Sequence, residues 1–405
     1  MDIKYYLRKA QDVQAKDYLS VFPMLLGLIL TPFYRKRLRD CWAVCERSDE
    51  ARDNGYHFFK YVKEKHPHQK CFYAIDKKCH DYEKVEKYKT VVEFGSVKHW
   101  LLYFSCKFLI SSQSFKPNAY LCTLIERSGM FRPHHVFLQH GITINKPDYL
   151  EASRRKVDYF ITVTPQETEF VANELGYGSE CVRMLGFPRF DALHEFKVEE
   201  NMILIMPTWR KWLRFKSEGR NKNLDNDDLN EYIDAWTSLL ENQEFRDLTR
   251  DKNLKIVFIM HSNMKEVISA DTFMSDSVNV VDLEKCDLQS LMKSASMMIT
   301  DYSSVFFDMV YMKKSVIFYQ FDEEKFRSHH YKKGWFDYKQ TPFGAWCETV
   351  PEVMEALSAT IEKNYVPSDE YIKEHSKMFT QYDTENSKRV YSLLSNCNVM
   401  RGLNC

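Results

Sequence analysis

A turn rich in hydroxyl groups follows an apolar run in the second half of the chain. Residues 300–304 read Thr-Asp-Tyr-Ser-Ser, between the apolar run Ser-Met-Met-Ile and the run Val-Phe-Phe-Asp-Met-Val-Tyr-Met. The first run predicts a buried strand and the second a helix, with Ser303 or Ser304 as its N-cap. A helix N-terminus presents unpaired N–H groups and a positive dipole end, so this turn, beginning at Thr300, could bind a phosphate without any glycine. The alternative is simple capping, in which Asp301 and the serines satisfy only the first turn of the helix.

Three more predicted strands end in polar residues. A histidine at such a position is suited to accept a proton near neutral pH. An arginine there can pair with a phosphate through two parallel hydrogen bonds. Each also has a structural interpretation, as a hydrogen-bonded histidine or as a surface arginine packed on the neighbouring tryptophan. The residues are Gln139, His140 and Gly141 after one strand, Pro207, Thr208, Trp209 and Arg210 after a second, and His261 after a third.

These strand ends are expected to meet in one cleft. The carboxyl ends of parallel strands lie at one edge of a sheet, and two such sheets facing each other hold ligands between those edges. Two histidines, an arginine and a hydroxyl-rich helix start would supply a base, positive charge and anion-binding amides. The pattern therefore predicts transfer of a group from a phosphate-bearing donor to a hydroxyl.

The elements that would position these residues alternate along the chain. Apolar runs rich in β-branched and aromatic residues are separated by amphipathic helical patterns, which is typical of βαβ units and parallel sheets. The periodicity is lost over residues 186–201, which contain a glycine and a proline and predict a linker. We expect an α/β fold with two doubly wound, Rossmann-like domains, residues 41–190 and 200–405.

The composition argues against several classes of protein. The 405 residues include 57 basic and 57 acidic side chains, a formal net charge of +0, so no overall positive field would attract nucleic acid. The 11 cysteines form no Cys-x-x-Cys pair, which indicates reduced thiols inside the cell rather than disulfides or a cysteine metal site. No carboxylate cluster stands out, so we predict no essential tightly bound metal ion.

Residues 1–40 are predicted to form a separate N-terminal segment. Residues 21–34 are mostly apolar, and residues 35–39 read Arg-Lys-Arg-Leu-Arg. The apolar run is too short for a bilayer span, which needs about 20 residues. An apolar segment beside basic residues suits shallow insertion into an anionic membrane surface. The alternative is a helix or hairpin packed on the core, with the basic residues in solvent.

Several motifs occur together and in a fixed order: WAVCERSDEARDNGYHFFKYVKEK, FLQHGI, GFPRFDAL, PTWR, FIMH and ITDYSSVFFDMVY. In this combination the chain resembles the CDP-glycerol glycerophosphotransferase family, the teichoic acid primases and polymerases, from about residue 40 to residue 345. The resemblance implies the two-domain glycosyltransferase-B architecture. It also implies transfer of a polyol phosphate from a CDP-activated donor to a hydroxyl of a lipid-linked acceptor, with release of CMP.

The resemblance implies a role for each matching residue. His140, on the acceptor-side domain 41–190, would be the base that takes the proton from the acceptor hydroxyl. His261, on the donor-binding domain 200–405, would contact the donor pyrophosphate. Asp301 and Asp308 would organise the phosphate loop and its helix. The full set of expected substrate-binding residues is Gly141, Pro207, Thr208, Arg210, Thr300, Asp301, Ser303, Ser304 and Asp308.

The resemblance also implies partners and a place in the cell. The donor would be CDP-glycerol or CDP-ribitol, and the acceptor a lipid-linked saccharide or polyol phosphate. The product would be a teichoic acid or a capsule polymer, made at the inner face of the cell membrane. No essential cofactor is expected, although Mg²⁺ could bind with the donor. The resemblance favours membrane contact for residues 1–40, and we expect the minimal catalytic form of the family.

Two other functions stay open at this point. One is a sugar-nucleotide glycosyltransferase of the same two-domain architecture. The other is a catalytically silent scaffold at the membrane surface, against which the two histidines and the serine pair argue.

Overall fold

The computed structural model describes residues 18–113, 116–127, 134–199, 201–213, 226–265, 267–283 and 286–397. Most of this part of the chain forms two parallel β-sheets, each covered by helices on both faces. The predicted α/β fold with two Rossmann-like sheets is therefore confirmed.

The helices and strands, in chain order, are as follows. They are α1 (Val21–Leu38), β1 (Trp42–Cys45), α2 (Asn54–Lys65), β2 (Cys71–Ile75), α3 (Tyr82–Glu86), β3 (Val91–Glu93), α4 (Val97–Ser105), β4 (Phe108–Ser111), α5 (Ala119–Arg127), β5 (His135–Phe137), β6 (Asn145–Lys146), β7 (Tyr159–Thr162), α6 (Pro165–Asn173), β8 (Val182–Met184), β9 (Met202–Met206), α7 (Asn226–Leu240), α8 (Gln243–Asp251), β10 (Lys255–Met260), β11 (Val278–Asp282), α9 (Leu288–Ser294), β12 (Met297–Thr300), α10 (Phe306–Tyr311), β13 (Ser315–Tyr319), α11 (Glu323–His329), β14 (Lys332–Lys333), β15 (Gly344–Cys347), α12 (Val350–Glu362), α13 (Asp369–Met378) and α14 (Asn386–Asn396).

The first sheet has the strand order β3-β2-β1-β4-β5-β7-β8, and all its strands are parallel. Its strand β1 is buried along its whole length. Trp42 and Val44 enter one apolar core, whereas Ala43 and Cys45 enter another on the opposite face. A strand covered on both faces needs an unbroken apolar run, which explains why the sequence shows one here.

The second sheet has the strand order β11-β10-β9-β12-β13-β15, again all parallel. The three strands that precede the predicted site residues, β10, β9 and β12, are neighbours in this sheet. The edge strand β15 was not expected from the sequence, because its apolar run is only three residues long and begins after a glycine. Only one of its four residues is buried. A Cβ atom at Gly344 would lie 2.0 Å from the Val316 carbonyl oxygen, so this pairing requires glycine.

The last helix departs from the predicted division of the chain. Residues 200–405 were assigned to the second domain, yet Val390 and Leu394 of α14 belong to the apolar core of the first sheet. Helix α14 packs there against α2 and against the 3-10 helix Pro188–Leu193. The amphipathic pattern of α14 could not reveal which sheet the helix covers.

A short ribbon joins the two domains beside the cleft. Strand β6 of the first domain pairs antiparallel with β14 of the second, with Lys146 opposite Lys332 and Asn145 opposite Lys333. A Cβ atom at Gly334 would lie 2.1 Å from the Ile144 carbonyl oxygen, so the ribbon requires glycine at this position. Because β6 follows His140 by only a few residues, the ribbon ties the histidine loop to the second domain.

Helix α1 covers the first domain with one face and leaves the other in solvent. Gly27 is buried against α4, where an added Cβ atom would lie 2.8 Å from Trp100 Cβ. On the outer face, Phe22, Ile29 and Phe33 are 72%, 63% and 76% exposed. Among the helices of the described residues, none is long and apolar enough to cross a membrane. Of the predicted N-terminal segment, residues 1–17 lie outside the described residues.

Candidate active site

A cleft of about 310 Å³ lies between the carboxyl ends of the two sheets. Predicted residues from both domains line it, namely His140, Gly141, Thr208, His261, Ser303, Ser304 and Asp308. The domains touch at the cleft, because a Cβ atom on Gly141 would lie 2.7 Å from Ser304 Oγ. Glycine at 141 is therefore what lets the histidine loop approach the serine turn this closely.

The loop that carries His140 has a strained backbone held by its neighbours. Gln139, just before the histidine, has a φ of 60°, a left-handed conformation that costs a residue with a Cβ atom roughly 1 kcal/mol. Its buried side chain donates from Nε2 to the Ile161 carbonyl at 2.6 Å and to Glu167 Oε1 at 3.0 Å. From α2, Asn54 Nδ2 donates to the Gln139 carbonyl at 2.8 Å. These bonds fix the loop so that His140 faces the cleft.

Glu167 anchors the other side of the same loop. Its carboxylate is buried and accepts the N–H of Thr143 at 2.7 Å and the N–H of Val163 at 2.8 Å. Burial raises the pKa of Glu167 to about 7, and these backbone bonds partly oppose the rise. The carboxylate lies outside the cleft lining. It therefore anchors the loop internally and does not face a substrate in the cleft.

The side chain of His140 is exposed, but it faces the cleft, where protein atoms on the surrounding walls replace much of the bulk water. This desolvation lowers the pKa of His140 below its ordinary value, and the nearby charge of Asp53 acts in the opposite direction. Arg189 and Arg47 lower the pKa further. A lowered pKa keeps the imidazole neutral at neutral pH, the form that can accept a proton.

The serine turn differs from its predicted form. Helix α10 begins at Phe306 with Val305 as N-cap, rather than with Ser303 or Ser304. The N–H groups of Phe306 and Phe307 already bond to the carbonyls of Ser303 and Ser304, at 3.4 and 3.2 Å. The first-turn amides of α10 are thus engaged by the backbone, and any anion contact here must come from the serine residues themselves.

Arg210 does not face the cleft, which corrects its expected role in phosphate binding. The side chain is fully buried, and its Nε and Nη2 donate to both oxygens of Asp322 at 2.7 and 2.9 Å. Its Nη1 lies 2.9 Å from Asp301 Oδ2 and donates to the Thr208 carbonyl at 2.7 Å. The two carboxylates raise the pKa of Arg210 against the effect of burial. The arginine braces the turns after β9 and β12 from beneath.

Three other expected contact residues also support the cleft from outside its lining. Asp301 is buried and accepts the N–H of Thr208 at 2.8 Å and the N–H of Tyr302 at 2.7 Å. Thr300 donates to the Met206 carbonyl at 2.7 Å. Pro207 is likewise absent from the cleft lining. The polar side chains of Thr300 and Asp301 are thus engaged by the backbone of the strand ends and turns beside them.

Thr208 and His261 offer polar atoms to the donor side of the cleft. Thr208 Oγ1 is buried and has no hydrogen-bond partner among the described residues, although the residue lines the cleft. His261 Nδ1 accepts the N–H of Asn263 at 3.1 Å. A neutral imidazole that accepts at Nδ1 carries its proton on Nε2, so His261 can act as a donor to an anion.

A buried ion bridge that the sequence did not indicate crosses the cleft. Arg189, in the GFPRFDAL motif, donates from Nε and Nη2 to Asp308 Oδ2 and Oδ1 at 2.8 and 2.7 Å. Its Nη1 donates to Asp53 Oδ1 at 2.9 Å. All three residues line the cleft. The available signal was an arginine close to two phenylalanines, in a segment that lacks apolar periodicity. This signal did not indicate which carboxylates Arg189 would meet.

No group of three or more histidine, cysteine, aspartate or glutamate side chains within the described ranges is arranged to hold a metal ion. Of the carboxylates in the cleft lining, Asp53 and Asp308 are both engaged by Arg189. Besides neutral donors and histidines, the lining includes the cationic side chains of Arg47 and Arg52, which an anionic ligand could approach.

The chain is similar in sequence to proteins of teichoic acid synthesis. It is 30% identical over 373 residues to the minor teichoic acid biosynthesis protein GgaB of Bacillus subtilis (strain 168), covering 90% of this chain and 40% of that protein. It is 24% identical over 270 residues to the teichoic acid glycerol-phosphate transferase of Staphylococcus aureus (strain NCTC 8325 / PS 47), covering 61% of this chain and 63% of that protein. The chain thus spans less than two thirds of the length of these relatives.

The fold is similar to that of solved structures. The wall teichoic acid polymerase TagF superposes with a TM-score of 0.61 at 15% identity, over 95% of this chain and 98% of that chain. A UDP-GlcNAc 2-epimerase from Neisseria meningitidis superposes with a TM-score of 0.51 at 12% identity, over 88% and 99%. The family model described as CDP-Glycerol:Poly(glycerophosphate) glycerophosphotransferase matches residues 34–396. The chain therefore belongs to the CDP-glycerol:poly(glycerophosphate) glycerophosphotransferase family.

Proposed function

We propose that the protein transfers a polyol phosphate from a CDP-activated polyol to a hydroxyl of a lipid-linked acceptor and releases CMP. One observation carries this proposal: His140 of the first domain and Ser303 and Ser304 of the second line the same cleft, with Gly141 in contact with Ser304. A base and a set of hydroxyl donors on opposite walls suit an acceptor oxygen on one side and a donor pyrophosphate on the other. The family to which the chain belongs suggests glycerol phosphate as the group that is transferred.

In the proposed mechanism, neutral His140 accepts the proton of the acceptor hydroxyl as its oxygen attacks the phosphorus that carries the polyol. The new oxygen–phosphorus bond forms as the bond to the CMP oxygen breaks, and CMP leaves with the electron pair. A positioned histidine contributes roughly 10² to 10⁴ in rate. The rest must come from alignment of the two substrates and from charge compensation on the phosphate oxygens.

On the donor side, His261, Thr208 and the two serines would bind the pyrophosphate. His261 donates from Nε2, and the hydroxyls of Thr208, Ser303 and Ser304 donate in turn, because phosphate oxygens are strong acceptors. Mg²⁺ could enter with the donor and neutralise part of its charge. The support from the structure is the orphaned Thr208 hydroxyl, which a bound anion would satisfy.

The deciding experiment incubates the protein with CDP-glycerol, CDP-ribitol and UDP-sugars in the presence of lipid-linked acceptors. We expect CMP release and acceptor extension with a CDP-polyol only, and release of UDP would instead support a sugar-nucleotide glycosyltransferase. His140→Ala should abolish transfer while CDP-polyol still binds. Replacing Ser303 and Ser304 together by alanine should weaken donor binding in calorimetry, and unchanged binding would leave the serines with a local structural role.

We further propose that the outer face of α1 docks on the inner, anionic face of the cell membrane. The exposed side chains of Phe22, Ile29 and Phe33 lie on the same helix as the basic residues of its last turn, Arg35–Arg37. Apolar side chains can enter the headgroup region, while each nearby basic residue contributes about 1 kcal/mol on an anionic surface. This placement would bring the cleft close to a lipid-linked acceptor.

Vesicle sedimentation tests the membrane proposal. The protein should bind vesicles that contain phosphatidylglycerol more strongly than vesicles of phosphatidylcholine alone. Replacing Phe22, Ile29 and Phe33 by serine should remove binding to both, since it removes the inserted area. A variant that binds as well as the wild type would show that this face has another use.

A further inference from the structure

Arg189 spans the two domains at the base of the cleft. It lies in the short 3-10 helix Pro188–Leu193, between the two sheets in the chain, and its side chain is buried. One end of its guanidinium meets Asp53 of the first domain, and the other meets both oxygens of Asp308 in the second. A planar group bonded at three positions allows little change in the distance between its partners.

The first-domain partner belongs to the element that fixes His140. Asp53 immediately precedes Asn54, which donates to the Gln139 carbonyl at 2.8 Å and accepts the N–H of Arg189 at 3.1 Å. The backbone and the side chain of Arg189 thus both reach the histidine loop through adjacent residues. Movement of Arg189 would be passed directly to that loop.

The second-domain partner belongs to the element that follows the serine turn. Asp308 lies on α10, four residues after Ser304, and its carboxylate is 1% exposed. Both of its oxygens accept hydrogen bonds from Arg189. The position of α10 in turn sets the position of Ser303 and Ser304, whose carbonyls bond to its first amides.

We propose that Arg189 is a positioning residue that sets the spacing between His140 and the serine turn, an inference that rests on the proposed transfer reaction. Transfer requires the acceptor oxygen and the donor phosphorus to be held within about 3.5 Å and in line. A displacement of about 1 Å can lower the rate about 100-fold. Arg189 acts through the two walls of the cleft and need not touch either substrate.

The test compares two variants that loosen the bridge to different extents. Asp53→Asn removes the ion pair with the first domain and leaves the two bonds between Arg189 and Asp308 intact. Arg189→Lys keeps the charge but cannot bond to both aspartates through a planar fork. For each we expect kcat to fall by about 100-fold while the CDP-glycerol dissociation constant changes less than about threefold. In Asp53→Asn the lost charge beside His140 adds to the fall, so Arg189→Lys is the variant that isolates the effect of spacing. Small-angle scattering should show a larger radius of gyration, because the domains separate.

Arg389→Gln is the matched control. Arg389 also makes several bonds, to Asp383, Asn386 and the Leu185 carbonyl, but it does not line the cleft. It should lose stability without a change in kcat or in the scattering profile. If Arg189→Lys behaved like this control, Arg189 would be only a stabilising residue. If it lost donor affinity instead, Arg189 would be a binding residue.

The scattering measurement tests the role of Arg189 in cleft spacing independently of the proposed transfer reaction. A wild-type protein that transfers no polyol phosphate would refute the proposed function. The radius of gyration of Arg189→Lys and Asp53→Asn would still decide whether the bridge sets the spacing of the cleft walls, and unchanged radii would refute the inference.

Discussion

At the scale of single residues, the cleft combines groups with different protonation behaviour. His140 faces solvent inside the cleft and is kept neutral mainly by desolvation, with Arg189 and Arg47 adding to the effect. The carboxylate of Asp53 lies on the same wall and favours the protonated imidazole. His140 starts neutral and becomes positively charged when it accepts the proton. The carboxylate of Asp53 stabilises this developing charge and so favours proton transfer to His140.

The pH dependence of transfer should report on His140. Protonated imidazole cannot accept a proton, so kcat/KM should fall as pH drops through the pKa of His140, which lies below the ordinary value of about 6.5. Arg47→Gln removes a positive charge that lowers this pKa, and the acid limb should therefore move to higher pH. Lys252→Gln, an exposed residue outside the cleft lining, is the control and should leave the limb in place. A shift to lower pH in Arg47→Gln would contradict the assignment of His140 as the base.

The residue types at strand ends were predictable from the sequence, whereas their partners were not. The apolar runs before His140, Thr208 and His261 indicated strands, and topology then required their ends to converge. Arg210 looked like a phosphate ligand because Trp209 and a proline turn precede it. Its real partners, Asp301 and Asp322, come from two other strand ends, and no local pattern predicts such a long-range ion bridge.

At the scale of elements, the histidine loop stores backbone strain. The left-handed conformation of Gln139 persists because its side chain and Asn54 bond to fixed groups around it. The sequence could show that Gly141 permits a sharp turn, but the turn takes its left-handed residue at a glutamine. Likewise, the hydroxyl groups of the serine turn suggested an N-cap at Ser303 or Ser304. The N-cap is instead Val305, whose N–H bonds to Ser303 Oγ at 3.4 Å.

Replacing Gln139 tests this account of the loop. Gln139→Ala keeps the cost of the left-handed backbone and removes the hydrogen bonds that offset it. We expect a loss of about 2–4 kcal/mol in the free energy of unfolding, measured by urea denaturation. Asn364→Ala is the matched control, since Asn364 is exposed and also left-handed with a φ of 52°, and it should cost only about 1 kcal/mol. Equal losses in the two variants would show that the side-chain bonds of Gln139 contribute nothing.

At the scale of the whole molecule, several contacts hold the cleft walls together. Among them are the Arg189 bridge and the ribbon between β6 and β14, where Trp335 Nε1 also donates to the Thr143 carbonyl at 2.8 Å. Arg52 Nη1 of the first domain also donates to the Leu283 carbonyl of the second at 3.1 Å. The ribbon was invisible in the sequence, because its strands have only two residues each and no apolar alternation. The two sheets, by contrast, followed from the repeated apolar runs.

Gly334→Ala tests whether the ribbon between β6 and β14 affects the rate of transfer as well as the stability of the fold. Its new methyl group would clash with the Ile144 carbonyl and push β14 away from β6. We expect a stability loss of about 1–3 kcal/mol together with a lower rate of transfer. Gly344→Ala introduces a similar clash, with the Val316 carbonyl, at the edge of the second sheet. It should show the stability loss alone, and an equal loss of transfer in both variants would argue against a role for the ribbon in the cleft.

The return of α14 to the first sheet has a consequence for how the protein can be divided. Since Val390 and Leu394 complete the apolar core of the first domain, the polypeptide passes from one domain to the other twice. A protease that cuts only in the segment around residues 194–199 would leave both pieces bound to each other. A fragment ending there would expose the strip of α2 that α14 covers, and it should aggregate unless the missing helix is added back as a peptide.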